Sequence, residues 1–226
     1  MWLLTAEAGL LRATAFGGPK SRLRAYVSPF HSGQAWIYHD PAKDSRKLSD
    51  FDVRSWRPGL REVYERAMAA EAVAETVLAS HGGGGNWGRA MSLVQAALDG
   101  LTDAAGETCA RILLCFLWQW ADFLGLRPQF DCCSLCGKPV PPGALIKFSP
   151  REGGVVCAAC RGEGQGGYGY VDAGSACRRW LDTILPLSPT EGSWQPLDEK
   201  SFREAMSLTT AILAEALGRR LASWEW

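Results

Sequence analysis

Four cysteines are spaced so that together they could bind one metal ion. Cys133 and Cys136 form a first C-x-x-C pair, Cys157 and Cys160 form a second, and 20 residues separate the two pairs. Two such pairs can present four thiolates to a metal at about 2.3 Å each, and this spacing is typical of zinc ribbons. Because four sulfurs leave no open coordination position, the sequence predicts one structural zinc ion per chain rather than a hydrolytic centre.

Other interpretations of the cysteine pattern stay open. Iron in a rubredoxin-like site uses similar spacing, whereas a thioredoxin-like pair would require a βαβ context that this sequence does not show. Cys132 adjoins the first pair and would replace Cys133 only by changing the spacing to C-x-x-x-C. We favour zinc because the cysteine-rich stretch, residues 130–171, has little apolar sequence for a core of its own, and a bound metal supplies folding free energy.

A second candidate site is the basic turn within AFGGPKSRLRAYVSPF, residues 15–30. A phosphate-binding loop of the G-x-x-x-x-G-K-[ST] type is excluded, because Pro19 precedes the lysine and has no amide hydrogen to donate. Residues 22–27 then alternate charged and apolar types with period two. This alternation predicts a strand and not the helix that such a loop requires.

Four cations belong to this basic N-terminal region. Arg22 and Arg24 would share one face of the predicted strand, Lys20 lies in the turn before it, and Arg12 lies one strand earlier. Residues 1–66 hold 11 basic and 7 acidic residues, a net charge of +4, whereas residues 67–226 have a net charge of −4. A polyanionic partner is therefore expected at the N-terminal module, although a merely solvated strand face would have the same composition.

The overall composition is that of a folded protein, with 47% hydrophobic and 21% charged residues. No apolar run approaches the roughly 20 residues of a membrane span, and no secretory signal pattern opens the chain. We therefore expect a cytoplasmic protein, in which paired cysteines are more often metal ligands than disulfides. The three histidines show no catalytic spacing, and Asp40 and Asp44 are best explained as a polar hairpin tip. No catalytic residue is assigned, and the chain is not expected to be an enzyme.

The order of predicted elements indicates an α+β fold. A small N-terminal β-barrel is predicted over residues 1–57, from short strands at residues 9–16, 22–27, 34–39 and 47–53. An α-helical domain is predicted over residues 58–226, with the cysteine-rich insert at 130–171. Its helices are expected at residues 60–80, 86–98, 102–124, 175–185 and 198–221.

Two further expectations concern this helical domain. The four glycines at residues 82–85 are expected to form a flexible connection. Several aromatic side chains at helical spacing are expected in the core rather than on a binding surface: Tyr64, Trp87, Trp118 and Trp120.

The joint arrangement resembles the RecO family of bacterial DNA repair proteins. The resemblance rests on the segment GGPKSRLRAYVSPF, on LGLRPQFDCCSLCG before the second half of the insert, on FSPREGGVVCAAC, and on the terminal EALGRRLAS. It extends over nearly the whole chain. It implies an N-terminal OB-fold that binds DNA, a helical domain, and a zinc-binding insert.

The resemblance also implies a function. A family member would bind single- and double-stranded DNA, anneal complementary strands held by single-strand-binding protein, and act in homologous recombination through the RecF pathway. Its implied partners are RecR, the C-terminal tail of single-strand-binding protein, RecF and RecA, and with RecR it would help RecA load onto DNA. The implied DNA contacts are Arg12, Lys20, Arg22 and Arg24, and the implied zinc ligands are Cys133, Cys136, Cys157 and Cys160.

One departure from the family pattern concerns the N-terminus. The pattern opens with a strand and a turn before the segment that here reads LLTAEAGLLRATAFGG, so we expect roughly 20 to 25 residues of the pattern, including the first barrel strand, to be missing. Either the true start lies upstream or the barrel is incomplete. OB-folds bind single strands with a cationic groove and with stacking rings, for which Tyr26, Phe30 and Trp36 are candidates. The competing hypothesis is a zinc-ribbon scaffold that binds proteins and has little affinity for DNA.

Overall fold

The computed structural model describes residues 1–15, 23, 26–161 and 169–224. Strands dominate the N-terminal part of the chain and helices dominate the remainder, which confirms the predicted α+β class. None of the described helices is long and apolar enough to cross a membrane.

The N-terminal strands form two small sheets. Strands β1 (Trp2–Thr5) and β2 (Gly9–Arg12) pair antiparallel. Strands β4 (Ser32–Asp40) and β5 (Ser45–Ser55) form a long antiparallel hairpin, and β3 (Thr14–Ala15) joins β5 in parallel, giving the order β3-β5-β4. Within the described residues these strands do not close into the predicted barrel.

The strand predictions are confirmed in part. The strands predicted at 34–39 and 47–53 exist and are longer than predicted, and β1 was not predicted. The strand predicted at 22–27 is wrong where it is described, because Leu23 and Tyr26 are helical and the Val27 amide donates to the Leu23 carbonyl across 2.9 Å. Six alternating residues are too few to distinguish a strand from a helical turn by periodicity alone.

Six α-helices follow in the described part of the chain. They are α1 (Tyr64–Ala79), α2 (Trp87–Thr102), α3 (Glu107–Phe123), α4 (Ser175–Ile184), α5 (Pro189–Ser193) and α6 (Glu199–Leu217). Helix α3 lies at the centre of the helical domain and contacts α1, α2, α5 and α6. Its residues from Ile112 to Ala121 are therefore all buried. Helix α3 starts at Glu107 and not at residue 102, since α2 continues through Thr102.

Side chains cap several helix starts in the way the sequence suggests. Asn86 accepts a hydrogen bond from the Arg89 amide at 3.1 Å, which confirms it as the N-cap of α2. Asp198 does the same for α6 through the Ser201 amide at 2.9 Å. Helix α5 was not predicted because it is a single short turn inside a proline-containing loop, although Ser188 and Glu191 form a capping box there.

Three buried side chains of the central helix donate hydrogen bonds to neighbouring elements. Trp118 donates to the Leu181 carbonyl at 2.9 Å, Gln119 to the Ile184 carbonyl at 2.8 Å, and Trp120 to Ser80 Oγ at 3.0 Å. The first two of these bonds satisfy carbonyls in the last turn of α4, which have no partner within that helix. Trp118 and Trp120 are core residues as predicted, and Trp87 is half-buried; the prediction is wrong for Tyr64, which is 74% exposed.

The chain turns at the four glycines of residues 82–85, where Gly82 and Gly83 pack against neighbouring elements and Gly84 and Gly85 are exposed. The flexibility of this connection stays a prediction. All four have positive φ angles, and Gly82 is buried. A Cβ at Gly83 would lie 2.1 Å from Cε1 of Phe123, at the end of α3. The run of glycines therefore allows the chain to turn sharply against α3, since both the backbone conformation and the close approach exclude a side chain.

A third sheet connects the cysteine-rich stretch to the helices. It has the order β7-β6-β8 and consists of β6 (Ile146–Ser149), β7 (Gly154–Val155) and β8 (Val171–Ala173). Ile146 and Phe148 are buried in the same hydrophobic cluster as the helices, and β8 packs against α6. The sheet therefore shares the core of the helical domain.

Candidate metal centre and nucleic-acid interface

The four cysteines of the two C-x-x-C pairs converge on one point. The sulfur atoms of Cys133, Cys136, Cys157 and Cys160 all lie within 4.8 Å of one another. The Cys136 and Cys157 sulfurs, one from each pair, are 3.7 Å apart. A tetrahedron of sulfurs around zinc at 2.3 Å has edges of about 3.8 Å, so this separation suits ligands of one ion.

Two tight turns place the sulfurs. In the first turn, the Cys133 amide donates to the Lys138 carbonyl and the Gly137 amide donates to the Cys133 carbonyl, each at 2.9 Å. Gly137 has φ 69°, as expected for the residue that closes this turn. In the second turn, the Cys160 amide donates to the Cys157 carbonyl at 3.1 Å.

Cys132 lies outside the sulfur cluster. Its backbone forms an isolated bridge with Pro139, and the sulfur of Cys133 is the one grouped with the other three. The C-x-x-C spacing is therefore the one that the fold uses to bring the thiols together.

The thiols of the cluster differ in their affinity for protons. The backbone amide of Cys157 donates to Cys133 Sγ across 3.4 Å, and this contact is the main cause that lowers the pKa of Cys133 to about 6. Hydrogen bonding with Cys136 is the main cause that raises the pKa of Cys160 to about 12. The backbone amide of Cys160 is the main cause that lowers the pKa of Cys157, so the cluster favours thiolates at Cys133 and Cys157 and resists loss of the proton from Cys160.

This donor set fits a thiophilic divalent cation. Four thiolates held this closely repel one another, and a bound dication would neutralise their charge. Four sulfurs with tetrahedral spacing are typical of zinc or iron sites, and with no other ligand they form a closed site. The arrangement can therefore hold a structural metal ion.

Backbone hydrogen bonds attach this cluster to the third sheet. Cys133 forms a parallel bridge with Val155, and the Ser134 amide donates to the Val155 carbonyl at 2.8 Å. Phe130, just before the first pair, stacks on Trp118 of α3 with ring centroids 6.4 Å apart. The cysteine turns are thus supported directly by the helical core.

The predicted DNA contacts divide into one described residue and three that are not. Arg12 is exposed at the end of β2, where Trp2 is its cross-strand partner, and it makes no ion pair with any described residue. Lys20, Arg22 and Arg24 lie outside the described residues. Of the four predicted DNA contacts, the structure therefore describes only Arg12, where β2 ends and β3 follows.

The predicted stacking residues differ from one another in their surroundings. Trp36 is 46% exposed on β4. Phe30 packs against the hydrophobic core, so the suggestion that it stacks on bases is not supported. Tyr26 is exposed, and its ring meets Trp56 edge-on at 5.9 Å.

The hairpin tip at Asp40–Ser45 agrees with the sequence interpretation. Asp44 lies 3.2 Å from His39 and 3.5 Å from Arg46, and the Asp40 carboxylate accepts a hydrogen bond from the Ala42 amide. The two acids are engaged in the turn itself. They form a polar tip, as predicted.

A comparison with protein families shows to which family this chain is related. Residues 61–225 match the family model described as recombination protein O C terminal, which covers more than half of the chain. The chain belongs to the RecO family. Membership places it among proteins of DNA repair and recombination, as the sequence resemblance implied.

Individual RecO proteins extend this similarity to the N-terminal module. The chain is 31% identical to the DNA repair protein RecO of Rubrobacter xylanophilus over 188 residues, covering 82% of this chain and 74% of that protein. It is 29% identical to the RecO protein of Anaeromyxobacter over 225 residues, covering 98% and 85% of the two chains. The RecO protein of Myxococcus xanthus is 29% identical over 226 residues, covering 98% and 86%.

Sequence reasoning missed one exposed aromatic residue on β4. Tyr38 is 58% exposed and lies two residues after Trp36 on the same face of β4. The signal was present in the sequence, because Trp36 and Tyr38 alternate with Ala35 and Ile37. The sequence alone did not show which face of β4 is exposed. The burial of Leu48 on β5 and the exposure of Thr14 on β3 are needed to tell the two faces apart.

Proposed function

We propose that the chain is a non-catalytic factor of DNA repair and homologous recombination in the RecF pathway. In this proposal it binds single- and double-stranded DNA, anneals complementary strands and, with RecR, helps RecA load onto DNA coated by single-strand-binding protein. The observation that supports it most is the match of residues 61–225 to the RecO C-terminal model, joined to a basic N-terminal module.

The two parts of the chain would divide this work. Residues 1–57 would be an OB-fold-like DNA-binding domain in which Arg12, Lys20, Arg22 and Arg24 contact phosphates. Residues 58–226 would form the helical domain, with the zinc-binding insert at 130–171, and this domain would contact the tail of single-strand-binding protein. The charge difference supports this division, because residues 1–66 have a net charge of +4 and the remainder −4.

Strand annealing requires no catalytic group. Two complementary strands repel each other through their phosphates, and cations that neutralise those phosphates lower the repulsion. A protein that binds two strands with its basic face would therefore promote their pairing by electrostatics alone.

Binding of a fluorescent single-stranded oligonucleotide at several salt concentrations tests the proposal. Each phosphate contact should steepen the plot of log K against log salt by roughly 0.7. Changing Arg12, Lys20, Arg22 and Arg24 together to alanine should weaken binding and flatten this slope. Lys200→Ala, which removes an exposed cation on α6, is the matched control and should leave both unchanged.

Two results would count against the proposal. Absence of salt-dependent binding by the wild-type chain would favour the protein-binding scaffold. A slope that is equally steep in the fourfold variant would place the DNA contacts elsewhere on the molecule. Annealing of two labelled complementary strands, followed by energy transfer between the labels, would then show whether binding and pairing share the same residues.

We further propose that Cys133, Cys136, Cys157 and Cys160 hold one structural zinc ion per chain. When bound, the ion would cross-link the two cysteine turns and supply no reactive position. Metal analysis of the purified chain should give one zinc per molecule, and Cys136→Ser should reduce it while Cys132→Ser should not. Iron in the wild-type protein, or equal metal loss in both variants, would contradict this assignment.

A further inference from the structure

The outer face of strand β4 exposes two large aromatic side chains. Trp36 is 46% exposed and Tyr38 58%, whereas the intervening Ile37 and its cross-strand partner Leu48 point inward. Large aromatic residues usually contribute to a core, and isolated exposed ones require no explanation. Here the two rings lie on one face at positions two residues apart, about 7 Å along the strand.

Cations lie beside these rings. Lys47 on β5 is the cross-strand partner of Tyr38, and Thr14 on β3 is the partner of Lys47, so the three side chains form one row across the sheet. Neighbouring strands are about 4.8 Å apart, which brings all three within reach of a single bound chain. Arg12 precedes Thr14 by two residues with the buried Ala13 between them, so it extends the face.

A further exposed ring lies next to Arg12. Trp2 is 53% exposed and is the cross-strand partner of Arg12 in the β1–β2 sheet. Aromatic and cationic side chains therefore alternate across the N-terminal strands, from Trp2 and Arg12 to Lys47 and Tyr38.

Charge is distributed unevenly along the hairpin. At the far end of the same face, Asp50 is the partner of Trp36 and Asp52 is the partner of Gln34. Arg54 donates to Gln34 at that end and offsets one of the two acids, so a net negative charge remains there and a polyanion would be attracted more to the end near β3. The charges thus favour a path across the strands at Tyr38, close to where the chain leads into the basic segment containing Lys20.

These observations favour one kind of ligand. A protein partner with an apolar patch would require a continuous apolar surface, but here cations, Thr14 and carboxylates lie around the rings. Single-stranded nucleic acid offers both features that this surface complements, because its bases have flat π-faces and its backbone is a regular anion. In a duplex the bases are already stacked and are not accessible to these rings.

We propose that Trp36 and Tyr38 form a base-stacking platform for single-stranded nucleic acid, with Arg12 and Lys47 beside it to hold phosphates. This inference rests on the proposed DNA-binding function and adds to it a specific preference. The phosphate contacts serve single and double strands alike, whereas the platform serves only single strands.

The test compares affinities for a single-stranded oligonucleotide and for the matching duplex at one salt concentration. Stacking of a base on an aromatic ring strengthens single-strand binding, and substitution of the ring by alanine removes this contribution. Trp36→Ala and Tyr38→Ala should therefore each weaken single-strand binding about 5- to 150-fold. Duplex affinity and the salt slope should stay unchanged. Tyr38→Phe keeps the ring and should bind as the wild type does.

An abasic oligonucleotide and a control variant sharpen the test. A strand without bases should bind the wild type and the double variant, with both Trp36 and Tyr38 changed to alanine, equally, because it has no base that could stack on a ring. Tyr64→Ala removes a ring that is 74% exposed on α1, outside the sheets, and should have no effect on either affinity. Thermal unfolding of each variant reports whether the sheet stays folded.

The outcomes separate the two proposals. If the wild-type chain binds neither substrate, the proposed DNA-binding function fails. If it binds both and the ring variants lose no single-strand affinity, or lose single-strand and duplex affinity equally while remaining folded, the platform is wrong and the DNA-binding function is unaffected.

Discussion

Arg57 donates from Nε to Asp99 across 2.6 Å and thereby ties the end of the N-terminal strands to helix α2. Its side chain is only 4% exposed, whereas that of Asp99 is 61% exposed. The same guanidinium donates to the Phe30 carbonyl at 2.8 Å and to Ser32 Oγ at 3.0 Å. One buried cation therefore holds three segments together at the junction of the two parts of the chain.

Removing the carboxylate should weaken this junction. Asp99→Ala removes the charged acceptor of the buried guanidinium, and we expect a loss of about 2 kcal/mol in the free energy of unfolding, since a hydrogen bond to a charged group is lost and a buried donor is left without a partner. Urea unfolding followed by circular dichroism measures it. Asp103→Ala, an exposed acid just after α2, is the control and should cost less than about 0.5 kcal/mol. Equal losses in the two variants would contradict the role of Asp99.

The glycine turn gives a second prediction, in which two neighbouring substitutions separate backbone strain from steric conflict. Gly84→Ala places a Cβ in open space and should cost about 1 kcal/mol for the positive φ alone. Gly83→Ala adds a conflict with the Phe123 ring and should cost about 2 kcal/mol more. Thermal melts of both variants measure the difference. A Gly83→Ala melt equal to that of Gly84→Ala would mean that the turn is not held against Phe123.

Metal removal should affect the helices as well as the insert. The cysteine turns are bonded to Val155, and Val155 shares the hydrophobic core with α3 and α6. We therefore expect that a chelator, or Cys136→Ser, lowers the melting temperature recorded from the helical signal at 222 nm. Cys132→Ser should melt as the wild type does in both conditions. A helical transition that is insensitive to chelator would show that the insert folds separately from the helices.

The N-cap of α6 predicts a pH dependence. The Ser201 amide donates to Asp198 and is the main cause that holds the pKa of Asp198 below its ordinary value of 3.8. Because the folded pKa is lower than the unfolded one, the stabilisation is complete above pH 3.8 and is lost as the pH falls through the folded pKa. Asp198→Asn should therefore melt below the wild type at pH 7, with the gap closing in acid. Asp182→Asn, on exposed α4 surface, should show no such convergence; a gap that is constant with pH would refute the prediction.

The sequence predicted best those features that depend on local chemistry. The C-x-x-C spacing predicted the cysteine cluster, Asn86 predicted a cap, and the all-round apolar sequence of α3 predicted its central position. These succeed because the ligand spacing, the cap and the burial of one helix are each determined by a few neighbouring residues.

The sequence was less informative where distant segments decide the outcome. Nothing near residues 82–85 reveals that Phe123 packs against the turn, and nothing in the alternation of residues 22–27 reveals the helical hydrogen bond between Val27 and Leu23. Likewise, the exposure of Tyr38 depends on which face of the hairpin covers the core. The turn and the exposure of Tyr38 depend on tertiary contacts, whereas the alternation at residues 22–27 is too short to distinguish a strand from a helical turn.

A metal ion bound to both Cys136 and Cys157 would also affect the unfolded chain. A metal held by both turns would close residues 137–156 into a loop, and a closed loop has far fewer conformations than an open one. An ion that stays bound to part of this set during unfolding would therefore restrict the disordered ensemble and shorten the conformational search that precedes pairing of β6 with β7. The cysteine cluster would then influence how fast the chain folds as well as how firmly it stays folded.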